Sequence, residues 1–318
     1  MLEAPAPRND DERVAALRAL NILDTGSEER FDRLTRLATK LFEVPIALVS
    51  LIDQNRQWFK SVKGLSVSET PRNISFCGHV VFCHEPLVIK DASRDARFAD
   101  NPLVTGPPHI RFYAGYPLRD IDGYVMGTLC IIDSVPRPFS SEDLQTLTDL
   151  GQMAERELNA IQLATHDALT GLSNRRGLEA LAEKALKYCV RHNVPASLAF
   201  FDLNKFKAIN DKHGHAVGDQ VLKIFSAKML EKFRDSDICA RLGGDEFVVL
   251  MLDTTEQQAA LAIENFRELV AHSSAEEKLP CSIAFSSGVV FYNPFRHASL
   301  HELLQESDKL MYQQKAKS

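Results

Sequence analysis

Apolar residues recur along the first part of the chain at two different spacings, which predict two kinds of element. Residues 9–22 and 31–41 place apolar side chains every three or four positions, and this predicts two amphipathic helices. Short alternating or unbroken apolar runs then predict strands at 46–52, 57–61, 87–89, 112–117 and 124–133. An antiparallel sheet flanked by helices accounts for this order of elements.

A longer helical pattern follows, from Ser140 to about Ala164, and its first residues, Ser-Ser-Glu-Asp, are typical of a helix cap. Two structures fit this pattern. One is a weak coiled coil between two copies of the chain, and the other is a core helix of the preceding domain that extends onward. The positions on the heptad seam are Leu144, Leu147, Gly151, Ala154, Leu158, Ile161 and Thr165.

Residues 241–247, Arg-Leu-Gly-Gly-Asp-Glu-Phe, lie between two apolar runs. Adjacent glycines between such runs predict a tight hairpin, because glycine adopts positive φ without steric cost. The turn brings Asp245 and Glu246 close together, and like charges this close are unfavourable unless a cation lies between them. Carboxylate oxygens suit Mg²⁺ or Mn²⁺. A solvated hairpin tip with two acids is the other interpretation of this segment alone.

Asp202 follows the uncharged run 197–201, which has the length and character of a buried strand. The end of such a strand is where sheets place ligand chemistry, so Asp202 is a candidate to complete a metal site with the hairpin acids. A helix N-cap is the alternative role for this aspartate. His213 and His215 lie in a glycine-containing turn, where solvated histidines are more common than metal ligands.

Four blocks of sequence, at 167–176, 201–219, 241–247 and 307–315, make residues from about 163 to 318 resemble a GGDEF domain of the diguanylate cyclase family. The resemblance implies that two domains of a homodimer each hold one GTP. The 3′-hydroxyl of each nucleotide attacks the α-phosphate of the other, which releases two pyrophosphates and closes cyclic di-GMP. Because each domain holds only half of the reactants, the resemblance also favours the dimer seam at 141–165.

The resemblance implies a divalent metal site, with two or more Mg²⁺ or Mn²⁺ ions for each dimer. Its ligands are Asp202, Asp245 and the backbone carbonyl of Leu203, and Glu246 supports them. Asp245 and Glu246 are also candidates to accept the proton of the attacking hydroxyl, so both are catalytic candidates.

The same resemblance implies the contacts to GTP. Lys315 reaches the terminal phosphates, and the turn that carries Lys207 offers backbone N–H groups to them. Asn210 and Asp219 read guanine; a carboxylate accepts the N1–H and N2–H₂ donors together, whereas adenine has no such pair. Asp219 therefore argues against a mixed-nucleotide cyclase. The full set of GTP contacts is Phe206, Lys207, Asn210, Asp219, Gly243, Gly244 and Lys315.

Two positions depart from the family pattern, and a further motif matches a regulatory site. Asn204 replaces a common second aspartate, and the glycine and basic residue expected after Lys315 are missing, which predicts one phosphate contact fewer. Arg234 and Asp237 match the family's inhibitory site, where the product cyclic di-GMP binds and arrests the dimer. Arginine stacks on guanine and bonds its O6/N7 edge, and aspartate accepts N1–H and N2–H₂. Arg267 is a candidate second arginine.

Residues 15–160 resemble a GAF domain, through blocks at 51–60, 70–72, 75–79, 95–98, 111–113 and 127–133. GAF domains bind cyclic nucleotides, chromophores, haem or no known ligand, so the ligand stays unknown. Cys77 and His79, like Cys83 and His84, suggest a cofactor site, but the chain has none of the phytochrome-type blocks and no fourth metal ligand at a sensible spacing. We expect buried structural cysteines.

Composition sets the remaining limits. The 318 residues are 45% hydrophobic and 25% charged, as in a folded protein of two domains. A net charge of −6 without basic clusters argues against a nucleic-acid partner. No apolar run is long enough to span a membrane, the N-terminus has no signal-peptide core, and the six cysteines form no C-x-x-C pair. These features predict a cytoplasmic protein with reduced thiols.

The expected fold is mixed α/β (α+β). It comprises a GAF domain at 1–140 with an antiparallel sheet and flanking helices, a connecting helix at 141–165, and a GGDEF domain at 166–318 with a nucleotidyl-cyclase-like central sheet. The expected function is a diguanylate cyclase regulated through its GAF domain and by its product. The alternative is a catalytically silent receptor for GTP or cyclic di-GMP, which the intact candidate site argues against.

Overall fold

The computed structural model describes residues 1–277 and 279–316, apart from the side chains of 274–276. The chain divides into two compact units, Met1–Gln162 and Leu163–Ser318, each with its own sheet and core. The finer division at residues 140 and 165 stays a prediction. Among the helices of the described ranges, none is long and apolar enough to cross a membrane.

The first unit is built on a six-stranded antiparallel sheet with the strand order β3-β2-β1-β6-β5-β4. Every strand that the apolar pattern predicts is present, and the short strand β3 was missed because its three residues carry no hydrophobic pattern. The strands are β1 Ile46–Ile52, β2 Arg56–Lys63, β3 Glu69–Pro71, β4 Leu87–Ile89, β5 Phe112–Arg119 and β6 Val125–Asp133.

Helices cover both faces of this sheet, which explains why β1 is apolar along its whole length. Ala47 and Val49 lie in a core with α1, α2 and α5, whereas Leu48 lies in a second core with α3. A strand buried on both faces reads as a continuous apolar run rather than an alternating one. The helices are α1 Asp10–Ala19, α2 Glu29–Leu41, α3 Phe76–Cys83, α4 Pro102–Thr105 and α5 Ser141–Thr165.

Helix α3 carries the cysteines that the sequence singled out. Cys77 is buried in its first turn, as expected for a structural cysteine, but Cys83 is exposed at its last residue, so the expectation is wrong there. His84 ends the helix in the left-handed conformation, and its backbone N–H donates to the carbonyl of Val80.

Helix α5 is a core helix of the first unit over much of its length. Leu147, Ala154 and Leu158 are buried among residues of the same unit. A Cβ atom on Gly151 would come within 2.1 Å of Cδ1 of Tyr116, so the helix backbone lies directly against that ring. The predicted coiled-coil seam is therefore wrong for these positions, because burial in the unit's own core leaves them no face for a second copy.

The second unit has a four-stranded antiparallel sheet with the order β10-β7-β9-β8. Helices α8 and α9 cover one face with an aromatic core that includes Phe201 and Phe225, and α6 and α10 cover the other. The elements are α6 Arg175–His192, β7 Ala196–Leu203, α7 Phe206–His213, α8 His215–Lys232, β8 Ile238–Gly243, β9 Glu246–Leu252, α9 Glu256–Glu276, β10 Phe285–Phe291 and α10 Leu300–Lys315.

The close approach of Gly151 to Tyr116 leads to a stability prediction. Gly151→Ala is expected to lower the free energy of unfolding of the first unit by about 1–3 kcal/mol, because the added methyl group overpacks the core. In an exposed helix the same change stabilises by up to about 1 kcal/mol. Urea denaturation followed by circular dichroism measures the effect, with Met153→Ala, a change at an exposed position of the same helix, as the control.

A seam between two chains would behave differently. Destabilisation by Gly151→Ala that disappeared as the protein concentration rose would contradict the intramolecular packing of α5.

Candidate active site

The tip of the β8–β9 hairpin is a glycine turn that fixes the position of Asp245. Gly243 has φ +152° and Gly244 has φ +51°, and the space that a side chain would occupy at either glycine is open. The guanidinium group of Arg241 donates to the carbonyl of Gly244 at 3.0 and 2.8 Å and to Oδ1 of Asp167 at 2.9 Å. The predicted hairpin is confirmed, and the Arg241 side chain holds its tip.

Asp202 lies at the end of β7, next to the hairpin acids. Its Cα pairs with that of Glu246 in the β7–β9 register, and the N–H of Leu203 donates to the carbonyl of Asp245 at 3.1 Å. Because β7 and β9 are antiparallel, the last residues of one strand meet the first residues of the other. The sheet thus brings all three carboxylates to one edge.

The alternative role of Asp202 as a helix N-cap is wrong. Asp202 is a strand residue, and the N-cap of α7 is Lys205, which has φ +57° and makes no side-chain cap hydrogen bond. Asn204, the departure from the family pattern, accepts a hydrogen bond from Ser286 Oγ at 2.8 Å. Its side chain thus braces the turn after β7 against β10.

Lys315 joins the same edge from α10. Its Nζ lies 2.5 Å from Oδ1 of Asp202. The helix reaches this position because its backbone lies against β10: a Cβ atom on Gly288 would come within 2.0 Å of the carbonyl oxygen of Ser307. Near the helix end, the N–H of Ser287 donates to Oε1 of Gln314 at 2.7 Å.

The carboxylates at this edge destabilise one another as anions. Burial, followed by repulsion from Asp202, raises the pKa of Asp245, and Lys315 offsets only part of the rise. Burial also raises the pKa of Glu246, with further contributions from Asp308, Asp245 and Asp202. Negative charge that is partly shielded from water and repels its neighbours is stabilised by a bound cation.

The donor chemistry of this edge fits Mg²⁺ or Mn²⁺, since carboxylate and carbonyl oxygens are the ligands that these ions prefer. Within the described ranges, no three His, Cys, Asp or Glu side chains are already arranged as metal ligands. The donors available to such an ion at this edge are therefore carboxylate and backbone carbonyl oxygens.

The predicted guanine readers lie where α7 and α8 meet. A Cβ atom on Gly218 would come within 1.9 Å of Oδ1 of Asn210, so the side chain of Asn210 lies against the first turns of α8. Asp219 is the next residue along α8 and is exposed. Phe206 is half-buried against the aromatic core, and Lys207 is exposed on the first turn of α7. The close packing at Gly218 thus brings Asn210 and Asp219, the two predicted guanine-binding residues, to the junction of α7 and α8.

A cavity of about 660 Å³ adjoins the acidic edge. Its basic lining residues are Lys205, Lys212 and Lys315, with His213, and its other walls come from α7 and from residues 280–284. The three carboxylates, Asn210 and Asp219 are not among its lining residues, and Lys315 is the residue that connects this basic cavity to the acidic edge.

Arg234 and Asp237 lie at the opposite end of β8 from the glycine turn. Asp237 accepts from the N–H of Arg234 and from the N–H of Leu252, each at 3.0 Å, and so closes the connection between α8 and β8. The side chain of Arg234 is exposed. Arg267 donates to the carbonyl of Phe285 at 2.7 Å and lies over its ring, so it braces the core of its own unit.

Sequence reasoning missed the ion pair between Arg241 and Asp167. Arg241 lies in the sequence block 241–247 and Asp167 in the block 167–176, but neither residue was predicted to have a role. The sequence carries no local signal for this pair, because the two residues are 74 positions apart. Oδ1 of Asp167 also accepts from the N–H and the hydroxyl of Thr170.

Family models match both units. The model described as "Diguanylate cyclase, GGDEF domain" matches residues 164–318, and the GAF domain model matches residues 27–158. The chain therefore contains a GAF domain followed by a GGDEF domain.

Individual relatives match somewhat more than half of the chain. The chain is 38% identical over 181 residues to the cyclic di-GMP phosphodiesterase PA2567 of Pseudomonas aeruginosa. The match covers 56% of this chain and 31% of that protein. The chain is 32% identical over 188 residues to the probable diguanylate cyclase DgcC of Escherichia coli K12, covering 59% and 50%. The chain thus spans from about a third to a half of the length of these curated relatives.

A solved structure of similar fold is the coiled coil and GGDEF domain of DgcB from Caulobacter crescentus in complex with c-di-GMP. The TM-score is 0.50 at 24% identity, and the match covers 56% of this chain and 94% of that one. The likeness is one of fold.

The raised pKa of Asp245 leads to a prediction of pH-dependent stability. A carboxyl whose pKa is higher in the folded than in the unfolded state makes the protein less stable as pH rises through that interval. At pH 7 in chelator, Asp245→Asn is therefore expected to raise the melting temperature by about 2 °C, since solvent screens part of the repulsion. The gain should shrink as the pH falls and vanish below about pH 3, where the aspartate is protonated in both states.

Thermal melts of the whole chain between about pH 3 and pH 8 measure this effect. Asp211→Asn, which removes an exposed charge on α7, is the matched control. A melting temperature that fell in Asp245→Asn, or rose equally in both variants, would contradict the proposed repulsion.

Proposed function

We propose that this chain is a diguanylate cyclase that works as a homodimer and is regulated through its GAF domain. It condenses two GTP molecules into cyclic di-GMP and two pyrophosphates. The observation that carries the proposal is the convergence of Asp202, Asp245 and Glu246 at one sheet edge, beside Lys315 and a cavity with a basic lining.

Each group at the edge has a task in this reaction. Mg²⁺ or Mn²⁺, held by Asp202, Asp245 and the carbonyl of Leu203 with support from Glu246, would neutralise the charge on the phosphates. Asp245 or Glu246 accepts the proton of the 3′-hydroxyl.

The GTP contacts follow from the same arrangement. Asn210 and Asp219 bind the guanine edge at the α7–α8 junction. The ammonium group of Lys315 binds the terminal phosphates, assisted by the backbone N–H groups of Phe206 and Lys207 at the start of α7. Gly243 and Gly244 leave the space in front of the turn open, so a nucleotide can approach the hairpin backbone.

Homodimerisation follows from the chemistry, since each domain presents one GTP to the other. A cytoplasmic location is consistent with a GTP substrate and with six cysteines that are all free thiols.

Arg234 and Asp237 are proposed to bind cyclic di-GMP as an inhibitor, with the exposed guanidinium group of Arg234 as the first contact. The ligand of the GAF domain is not assigned.

The test of the catalytic proposal is purified protein with GTP and Mg²⁺, followed by chromatography of the products. Glu246→Gln should lower the rate of cyclic di-GMP formation by about 10²-fold or more, the usual effect of removing one group from a charge-stabilising site. Glu256→Gln, a change of the same kind at the exposed start of α9, is the control.

One further result would reject the cyclase, and another would reject the assigned site. Tight binding of cyclic di-GMP or GTP without turnover would favour the silent receptor. Equal rates in Glu246→Gln and Glu256→Gln would place the chemistry elsewhere.

The inhibitory site has a separate test. In a progress curve, Arg234→Ala should continue to form product at cyclic di-GMP concentrations that arrest the wild type, because the guanidinium contact to guanine is lost. Half-inhibition should require about tenfold more product, which corresponds to one hydrogen bond to a charged group. Lys187→Ala, which removes an exposed cation on α6, is the control. Inhibition curves that coincide for Arg234→Ala and the wild type would reject the site.

A further inference from the structure

Two buried thiols of the first unit face each other. Cys77 lies in the first turn of α3 and Cys130 in β6, and their Sγ atoms are 3.7 Å apart. The residues are 1% and 0% exposed. Helix α3 packs on this face of the sheet, so the pair joins two elements that are 53 residues apart in the sequence.

The sulfur of Cys77 accepts hydrogen bonds from two polar side chains. Nε2 of Gln57 and the hydroxyl of Tyr113 each donate to it at 3.3 Å. The hydroxyl of Ser75 donates to Oε1 of Gln57 and therefore holds the NH₂ end of that amide toward the sulfur. The sulfur is thus the acceptor for two buried donors, and the same two donors would stabilise a thiolate at this position.

The two thiols differ in acidity. Burial alone would raise the pKa of Cys77, but hydrogen bonds from Cys130 and the surrounding hydroxyl groups outweigh it, and the pKa lies below its ordinary value. Cys130 has a raised pKa, because its hydrogen bond to Cys77 and its burial favour the thiol. The contacts make Cys77 the nucleophile, because its sulfur is the one that accepts hydrogen bonds from Gln57 and Tyr113.

We propose that Cys77 and Cys130 form an oxidation-responsive pair, in which a small hydroperoxide converts the two thiols into a disulfide within the GAF domain. The Cys77 thiolate attacks an oxygen of the peroxide; an S–O bond forms, the O–O bond breaks, and the leaving oxygen takes up a proton. The sulfur of Cys130 then attacks the sulfenic sulfur of Cys77. The S–S bond forms, the S–O bond breaks, and water leaves with the proton of Cys130.

The two thiols lose two electrons, and the peroxide gains them. The sulfurs close from 3.7 Å to the length of an S–S bond, about 2.05 Å. The first turn of α3 becomes covalently tied to β6. The donors Gln57 and Tyr113 lose the thiolate that they stabilised, so the oxidised domain has a rearranged hydrogen-bond network on this face of the sheet.

The test is treatment of the full chain with hydrogen peroxide, followed by alkylation of the remaining thiols and peptide mass spectrometry. The expected result is a peptide pair joined through Cys77 and Cys130, which a dithiol reductant separates. Cys83→Ser, which removes the exposed thiol of the same helix, should form the same link at the same rate. Cys130→Ser should stop at a sulfenic acid on Cys77, trapped by dimedone.

A second variant separates a reactive site from accidental proximity. Tyr113→Phe keeps the ring and removes one donor to Cys77, so peroxide should form the disulfide about tenfold more slowly. Two results would overturn the proposal. One is oxidation confined to Cys83 while Cys77 and Cys130 stay reduced, and the other is an unchanged rate of disulfide formation in Tyr113→Phe.

Discussion

Repulsion among Asp202, Asp245 and Glu246 is the interaction on which the second unit depends. The sheet has to hold these charges together against their tendency to separate, and it does so through the pairing of β7 with β9 and the hydrogen bond from Leu203 to Asp245. Arg241 fixes the turn from the other side through Gly244 and Asp167. The energy for this constraint comes from the core beneath the edge, where aromatic rings fill the space between the sheet and α8 and α9.

The parts of this arrangement that the sequence predicted are those that depend on local pattern. The glycine turn was predicted from the steric freedom of glycine, and strands β1 and β7 were predicted from uninterrupted apolar runs. The role of α5 was not predictable in this way, because a heptad seam and a core stripe have nearly the same spacing. What decides between them is the contact of Gly151 with Tyr116, a residue of β5, and no local pattern contains that contact.

The candidate site shows the same division. The identity of the acids was predicted, but the ion pair of Arg241 with Asp167 was not, since it joins residues 74 positions apart. The backbone bonds that Asp237 accepts also depend on how α8 connects to β8. The position of α10 against β10 brings Lys315 to Asp202. Gly288 in β10 sets this position, because the absence of a side chain there lets the backbone of α10 approach the strand. Long-range packing, rather than chemistry, is what the sequence left open.

The contact between Lys315 and Asp202 spans 113 residues, and it joins the last described helix to the first strand of the unit. During synthesis the ribosome therefore releases the carboxylates long before their lysine. A nascent chain in which β7 and the hairpin have already paired lacks the cation that offsets their charge, and α10 completes the edge only at the end. The order of translation thus delays assembly of the site until nearly the whole unit is available to fold.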